Sequence, residues 1–193
     1  ALGAPAILSG YSRLVIDCNR DLGDPSSIPE TSDGIAVPGN RQLQPEARAA
    51  RRQFCFEPYH HAIAARLDAL LAAGSVPALL SIHSFTPVMN GVARPWQVGI
   101  LWNKDPRLPV PLLAALRADP ALVVGDNEPY SAREPPGYTV HHHAEVRGLP
   151  HVAIELRQDL VAAPAGAASW GARLAQALAP ILARGELYRI ERR

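Results

Sequence analysis

The fold of this chain is constrained most by short, almost entirely apolar runs that alternate with longer segments of helical periodicity. Four such runs lie at residues 77–82, 97–102, 121–124 and 151–155. Fully apolar runs of this length are typical of strands that are buried on both faces of a mostly parallel sheet. Because helical segments alternate with them, the sequence predicts an α/β fold with helices on both faces of the sheet.

The remaining elements are predicted from periodicity and from the residues that begin or end helices. Residues 19–40 are rich in Pro, Ser, Asp and Gly and are predicted to form a long loop, which in compact domains is often functional. Residues 137–143 alternate loosely, as a strand or a loop. The other predicted elements are strands at 6–8 and 14–18 and helices at 45–74, 109–118 and 165–182, the first of them kinked or split by Pro58.

Composition excludes several classes of protein. The 193 residues are 48% hydrophobic and 19% charged, which is typical of a globular chain, and a single domain is expected. The net charge of +1 gives no electrostatic case for nucleic-acid or membrane partners, and no apolar run is long enough to span a bilayer. The N-terminus has no signal-peptide pattern, so we expect a cytoplasmic protein. The sequence does not indicate the number of subunits.

The two cysteines do not indicate a metal site or a nucleophile. Cys18 and Cys55 form no Cys-x-x-Cys motif and are interpreted as buried free thiols. Cys55 precedes His60 and His61, but a predicted helix carries all three without a residue to orient them. The sequence also lacks a Gly-rich nucleotide-binding turn and the Gly-x-Ser-x-Gly motif of serine hydrolases.

Three polar clusters follow or end predicted strands. They are Asp-Cys-Asn-Arg at 17–20, Ser-Ile-His-Ser-Phe at 81–85 and Glu-Leu-Arg-Gln-Asp at 155–159. Ligands of open α/β sheets bind just beyond the carboxyl ends of the strands. Three clusters on separate strands therefore indicate a site assembled at one edge of the sheet.

His83 and Glu155 are the candidates for the chemistry. A neutral imidazole at position 83 suits a metal ligand, although a lone histidine there is also consistent with a structural role. A carboxylate at the buried end of a strand suits a general base, and the alternative is an ion pair with Arg157. Arg157 lies two residues on and points to the same side of the strand, where it would orient Glu155 or hold the substrate.

Asn19 and Arg20 are candidates for binding a carboxylate. The planar fork of an arginine matches a carboxylate in two hydrogen bonds, and a neighbouring asparagine adds a neutral donor. The alternative is that Arg20 pairs with Asp17, Asp21 or Asp24 of the same segment.

Two further segments contribute candidate substrate contacts. Turn residues explain most of segment 125–131, in which Tyr130 is a candidate hydrogen-bond donor to substrate. In the run His141, His142 and His143, the first and third would share one face of a strand and form a possible metal pair. His141 and His142 are interpreted as part of an exposed polar run. His143 is a candidate proton carrier or substrate contact.

Taken together, the motifs resemble the N-formylglutamate amidohydrolase family, a relative of the zinc carboxypeptidases. The matching motifs are Ser-Ile-His-Ser-Phe-Thr-Pro at 81–87, Gly-Asp-Asn-Glu-Pro-Tyr at 125–130 and Glu-Leu-Arg-Gln-Asp-Leu at 155–160. The resemblance covers residues 14–160 and implies a three-layer α/β/α sandwich of the phosphorylase/hydrolase type, with a mostly parallel central sheet. It further implies hydrolysis of the formamide bond of a small N-formyl or N-acyl amino acid such as N-formylglutamate.

The resemblance also implies roles for individual residues. Zinc held partly by His83 would activate a water, Glu155 would be the general base, and Arg157 would position it or stabilise the oxyanion. Asn19 and Arg20 would bind the terminal carboxylate of the substrate. The family takes further zinc ligands from an early strand and loop, and residues 1–13 contain no His, Asp or Glu. We therefore expect those ligands upstream of residue 1, and residues 1–193 to be one amidohydrolase-like domain without its N-terminal strand–helix segment.

Two alternatives to this function stay open on the sequence. One is a relative that has lost catalysis and binds small carboxylates through Arg20 and Asn19. The other is a peptidase similar to carboxypeptidases, or a hydrolase of another N-acyl amino acid, because the residues that choose the substrate cannot be placed from the sequence.

Overall fold

A computed structural model describes residues 2–133 and 137–193 of the chain. The chain contains two compact units, each built around its own buried apolar cluster. The helix unit comprises Pro5–Gly74 and Gly137–Thr139, and the sheet unit comprises Ala1–Ala4, Ser75–Pro136 and Val140–Arg193. That residues 1–193 form a single domain remains a prediction.

The helix unit begins with irregular chain, so the two strands predicted at residues 6–8 and 14–18 are wrong. Leu8 is 83% exposed, and the amide of Val15 donates back to Ser12 in a turn. Strands are stable only when their backbone groups pair with a neighbouring strand. The first strands instead form a short antiparallel hairpin, β1 (Thr31–Ser32) and β2 (Ile35–Ala36).

The predicted long helix of this unit is confirmed, and it is split into two α-helices just before Pro58, as predicted. Helix α1 (Pro45–Arg51) passes through a π-helical turn (Arg52–Phe56) into α2 (Glu57–Ala72). In the wider turn the amide of Glu57 donates to the carbonyl of Arg52, five residues back. Pro58 then lies in the first turn of α2, where a missing N–H is tolerated. The free Cys18 and Cys55 are buried in the core of the unit, as predicted.

The sheet unit is organised by a four-stranded sheet. Its strands are β3 (Leu79–Phe85), β6 (Val98–Leu101), β7 (Val124–Asp126) and β8 (His151–Arg157), with a small hairpin of β4 (Val88–Met89) and β5 (Val92–Ala93) following β3. The spatial order is β3-β8-β6-β7, in which β3 with β8 and β6 with β7 are parallel and β6 with β8 is antiparallel. Both β3 and β8 run beyond their predicted ends, so that His83 and Glu155 lie within strands.

Helices cover one face of this sheet through an apolar core. The predicted helices at 109–118 and 165–182 are confirmed as α3 (Pro109–Arg117) and α5 (Pro164–Leu182). Their buried side chains pack with those of the sheet, and the fully buried members include Val98, Ile100, Leu112, Val152 and Ile154. The fold class is confirmed as mixed α/β with a mostly parallel central sheet flanked by helices, consistent with a three-layer α/β/α sandwich.

Residues 138–143 are helical, which corrects the prediction of a strand or loop over residues 137–143. A short turn, α4 (Tyr138–Val140), continues into a π-helical turn at His141–Glu145. Alternating polar residues over so few positions do not separate a strand from a helix by periodicity. Within the described residues, no helix is long and apolar enough to cross a membrane.

Candidate active site

His83 and Glu155 are neighbours across two parallel strands. The pairing register of β3 with β8 sets His83 beside Glu155. Because side chains alternate along a strand, both project from the face opposite Val152, Ile154 and Leu156, which belong to the apolar core. Glu155 is buried and His83 is half-buried. A carboxylate and an imidazole are thus held side by side on a face of the sheet that the core does not use.

Ser81 fixes the orientation of the histidine ring. Its hydroxyl oxygen lies 3.0 Å from Nε2 of His83, and the serine is buried. The two residues are separated by two positions on β3 and so share its face. The serine belongs to the polar cluster predicted at 81–85, although the sequence indicated no separate role for it.

Two glycines let a loop pack against the same face of the sheet. Gly99 on β6 pairs in register with Glu155 on one side and with Gly125 of β7 on the other. A Cβ at Gly99 would lie 2.0 Å from the carbonyl oxygen of Glu128, and one at Gly125 would lie 2.6 Å from it. The backbone of Glu128 therefore occupies space next to Glu155 that any side chain at these positions would fill.

The loop at residues 126–133 is anchored on both sides of this contact. The side-chain oxygen of Asn127 accepts hydrogen bonds from the amides of Trp102 (3.0 Å) and Ala132 (3.1 Å). The indole N–H of Trp102 donates to Asp126 over 2.8 Å. These bonds fix the segment that carries Tyr130, one of the predicted substrate contacts.

Tyr130 is held by an arginine that the sequence analysis missed. The guanidinium of Arg94 donates to the Tyr130 hydroxyl over 2.8 Å and lies 4.9 Å from the centre of its ring. It also lies 5.9 Å from the centre of the Phe85 ring. Phe85 is two residues beyond His83 on β3, so it shares the face of the sheet that carries His83.

Arg157 is engaged by an acidic neighbour. Its Nε donates to Asp159 over 2.8 Å, and a second bond of 3.2 Å makes the contact bidentate. These hydrogen bonds hold the pKa of Asp159 below its usual value. Arg157 lies on the same face of β8 as Glu155, and its proposed action on that carboxylate remains a prediction.

The histidine run does not have the geometry of a strand. Residues two apart on a helix point to different sides, which removes the basis for a metal pair of His141 and His143. His141 lies 2.9 Å from a carboxylate oxygen of Glu145, whereas His143 is buried. The role of His143 as a proton carrier or substrate contact stays a prediction.

In the helix unit, Asn19 joins two segments of the chain. Its side-chain oxygen accepts from the amide of Thr139 over 2.9 Å, and its backbone carbonyl accepts from Tyr138 over 3.2 Å. Because an amide N–H only donates, this bond assigns the oxygen and leaves Nδ2 as the donor end. Gly137 makes room for that end, since a Cβ there would lie 2.8 Å from Nδ2.

Arg20 forms no direct salt bridge in the parts of the chain that the structure describes, but the pKa of Asp24 is lowered by hydrogen bonds from Ser26 and further by the charge of Arg20. Asp17 forms an ion pair with Arg13. Asp21 and Asp24 accept hydrogen bonds from the backbone amides two residues on. Local pairing of Arg20 with Asp24 therefore stays an alternative to the binding of an external anion by its guanidinium.

A buried histidine supports the backbone next to this pair. Nε2 of His60 lies 2.9 Å from the carbonyl oxygen of Cys18, so this nitrogen carries the proton and donates. The ring packs 4.2 Å from Phe56 and 4.8 Å from Tyr138, centre to centre. Burial raises the pKa of the Cys18 thiol, which keeps it protonated and agrees with its reading as an unreactive thiol.

Comparison with known proteins gives consistent results. The family model of N-formylglutamate amidohydrolase matches residues 1–162. The crystal structure of a gene product from Agrobacterium tumefaciens is similar with a TM-score of 0.84 and 35% identity, over 89% of this chain and 68% of that one. The crystal structure of N-formylglutamate amidohydrolase from Ralstonia eutropha has a TM-score of 0.63 and 19% identity, over 88% and 73%, and shows the fold alone. No curated protein matches the sequence.

The packing at Gly99 gives a test of the loop position. We expect Gly99→Ala to lower the free energy of unfolding by about 1–3 kcal/mol, because the new methyl group overlaps the Glu128 carbonyl. The matched control is Gly171→Ala in α5, where a Cβ meets nothing within 4 Å and alanine favours the helix. Urea unfolding of both variants measures the difference, and equal stability of the two would contradict the described loop.

Proposed function

Because the chain belongs to the N-formylglutamate amidohydrolase family, we propose that it hydrolyses the formamide or amide bond of an N-formyl or N-acyl amino acid such as N-formylglutamate. The family is one of amidohydrolases that act on small molecules. The observation that carries the proposal for this chain is the pairing of His83 with the buried Glu155 on adjacent parallel strands.

Glu155 is proposed as the general base. Its carboxylate takes a proton from water as the water oxygen bonds to the carbonyl carbon of the substrate. The carbon–nitrogen bond then breaks, and the proton passes to the leaving nitrogen, which yields formate and the free amino acid from an N-formyl substrate. The position of Glu155 suits this role, because its carboxylate lies beside His83 on the face of the sheet that the core does not use.

Other residues are proposed to hold the substrate. Arg20 offers its planar fork and Asn19 its Nδ2 donor to a substrate carboxylate. The support is that Arg20 forms no direct salt bridge among the described residues and that the Asn19 amide is fixed by Thr139. Tyr130 and His143 are proposed as further substrate contacts, with Arg157 positioning Glu155 or stabilising the oxyanion.

Zinc is implied by the family resemblance, and the described residues do not complete a site for it. Within residues 2–133 and 137–193, no three His, Cys, Asp or Glu side chains are grouped so as to hold a metal ion. Stable zinc sites usually have three or four protein ligands. No step is therefore assigned to a metal here, and zinc binding by His83 is a separate proposal with its own test.

The role of Glu155 is tested by Glu155→Gln, which keeps the shape of the side chain and removes its basicity. We expect the rate of formate release from N-formylglutamate to fall by about 10²–10⁴-fold, the usual contribution of a general base. The control is Glu186→Gln, which changes an exposed carboxylate.

Three outcomes of this assay separate the candidate functions. An unchanged rate in Glu155→Gln would contradict the assignment of the base. Faster cleavage of a peptide with a free C-terminal carboxylate than of N-formylglutamate would favour a peptidase. Tight binding of glutamate without turnover would favour a module that binds small carboxylates, a candidate supported by the absence of a direct salt bridge at Arg20 within the described residues.

The proposed metal ligand is tested without reference to activity. We expect His83→Ala to weaken zinc binding by at least about tenfold in competition with a chromophoric chelator, since even residues behind a metal ligand contribute that much. His61→Ala, an exposed histidine of α2, is the matched control. Equal zinc affinity of the two variants would show that His83 is not a ligand.

A further inference from the structure

Arg94 is a half-buried cation whose position is fixed by its surroundings. It follows the β4–β5 hairpin, whose turn residues Asn90 and Gly91 both have positive φ, and its amide donates to the carbonyl of Pro87 over 2.8 Å. The contacts with Phe85 and Tyr130 described above then orient the plane of the guanidinium. A side chain held in this way loses little entropy when it binds a ligand.

No carboxylate neutralises this cation within residues 2–133 and 137–193. Arg157, its neighbour, is paired bidentately with Asp159 and donates weakly to the backbone carbonyl of Arg94 itself. A charge that is partly removed from water is normally compensated by an opposite charge. Two of the five N–H groups of Arg94 donate to Tyr130 and to the sulfur of Met89, and the other three suit a carboxylate ligand.

The position of Arg94 beside Phe85, one side-chain row beyond His83 on β3, fits the length of a small diacid derivative. Phe85 lies one side-chain row beyond His83 on the same face of β3, and two residues along a strand span about 6.6 Å. In an N-formylglutamate, five bonds separate the formyl carbon from the carbon of the side-chain carboxylate, a reach of about 6 Å. A substrate with its formyl group at the His83–Glu155 row can thus extend its side-chain carboxylate towards the next row.

We propose that Arg94 is the residue that binds the side-chain carboxylate of the substrate. This inference rests on the proposed amidohydrolase function and names the residue that chooses its substrate. Tyr130 has a supporting part, because its hydroxyl accepts a hydrogen bond from Arg94 and directs the remaining guanidinium donors.

The test compares N-formylglutamate with N-formylglutamine, which have the same shape and differ in the charge of the side chain. We expect the unaltered protein to prefer N-formylglutamate. In Arg94→Gln, kcat/KM for N-formylglutamate is expected to fall about 10–100-fold, whereas kcat/KM for N-formylglutamine changes less than about threefold. Arg94→Lys keeps the charge without the planar fork. Its kcat/KM for N-formylglutamate is expected to lie between the values of the unaltered protein and of Arg94→Gln. The matched control is Arg184→Gln, which removes an exposed charge at the end of α5.

The outcomes distinguish this inference from the function on which it rests. Equal losses on both substrates, or none on either, would overturn the role of Arg94 even though the hydrolase function stands. If neither substrate is turned over, the proposed function fails, and calorimetry with glutarate and butyrate decides the role of Arg94. Weaker glutarate binding in Arg94→Gln, with butyrate unaffected, would uphold the carboxylate site; identical glutarate binding, or none in the unaltered protein, would overturn it.

Discussion

The arrangement of the candidate site depends on the register in which β3 and β8 pair. Side chains alternate between the two faces of a strand, so one register sets both the apolar core and the polar face. With Ile82 paired to Ile154, His83 meets Glu155. A slip of one residue would turn Glu155 into the core and expose its apolar neighbours. The buried apolar surface of β8 thus stabilises the register, and the register in turn positions the two candidate catalytic groups.

The same row of residues continues across the sheet and shapes what can approach Glu155. The absence of side chains at Gly99 and Gly125 admits the Glu128 backbone, and the loop from there carries Tyr130. Tyr130 in turn holds Arg94, whose aromatic neighbour Phe85 lies on the strand of His83. The proposed base and the proposed carboxylate site are therefore linked through backbone and side-chain packing within one compact unit.

The sequence predicted the parts of this structure that local patterns determine. The apolar runs of β3, β6 and β8 and the periodicity of α3 and α5 were sufficient to place these elements. Residues 6–8 were misassigned because apolar character does not tell whether a strand has a partner. Arg94 and Gly99 were missed for a related reason: their importance comes from contacts with residues 128–130, which lie about thirty positions away, and a single sequence does not show such contacts.

The account is tested most directly by a crystal structure with a phosphonamide analogue of N-formylglutamate, whose tetrahedral phosphorus imitates the hydrated formyl carbon. Transition-state analogues bind where the reaction occurs. The account predicts phosphorus oxygens within hydrogen-bond distance of Glu155 and the side-chain carboxylate against Arg94. An analogue bound well away from the His83–Glu155 row would contradict the assignment of this face of the sheet as the active site.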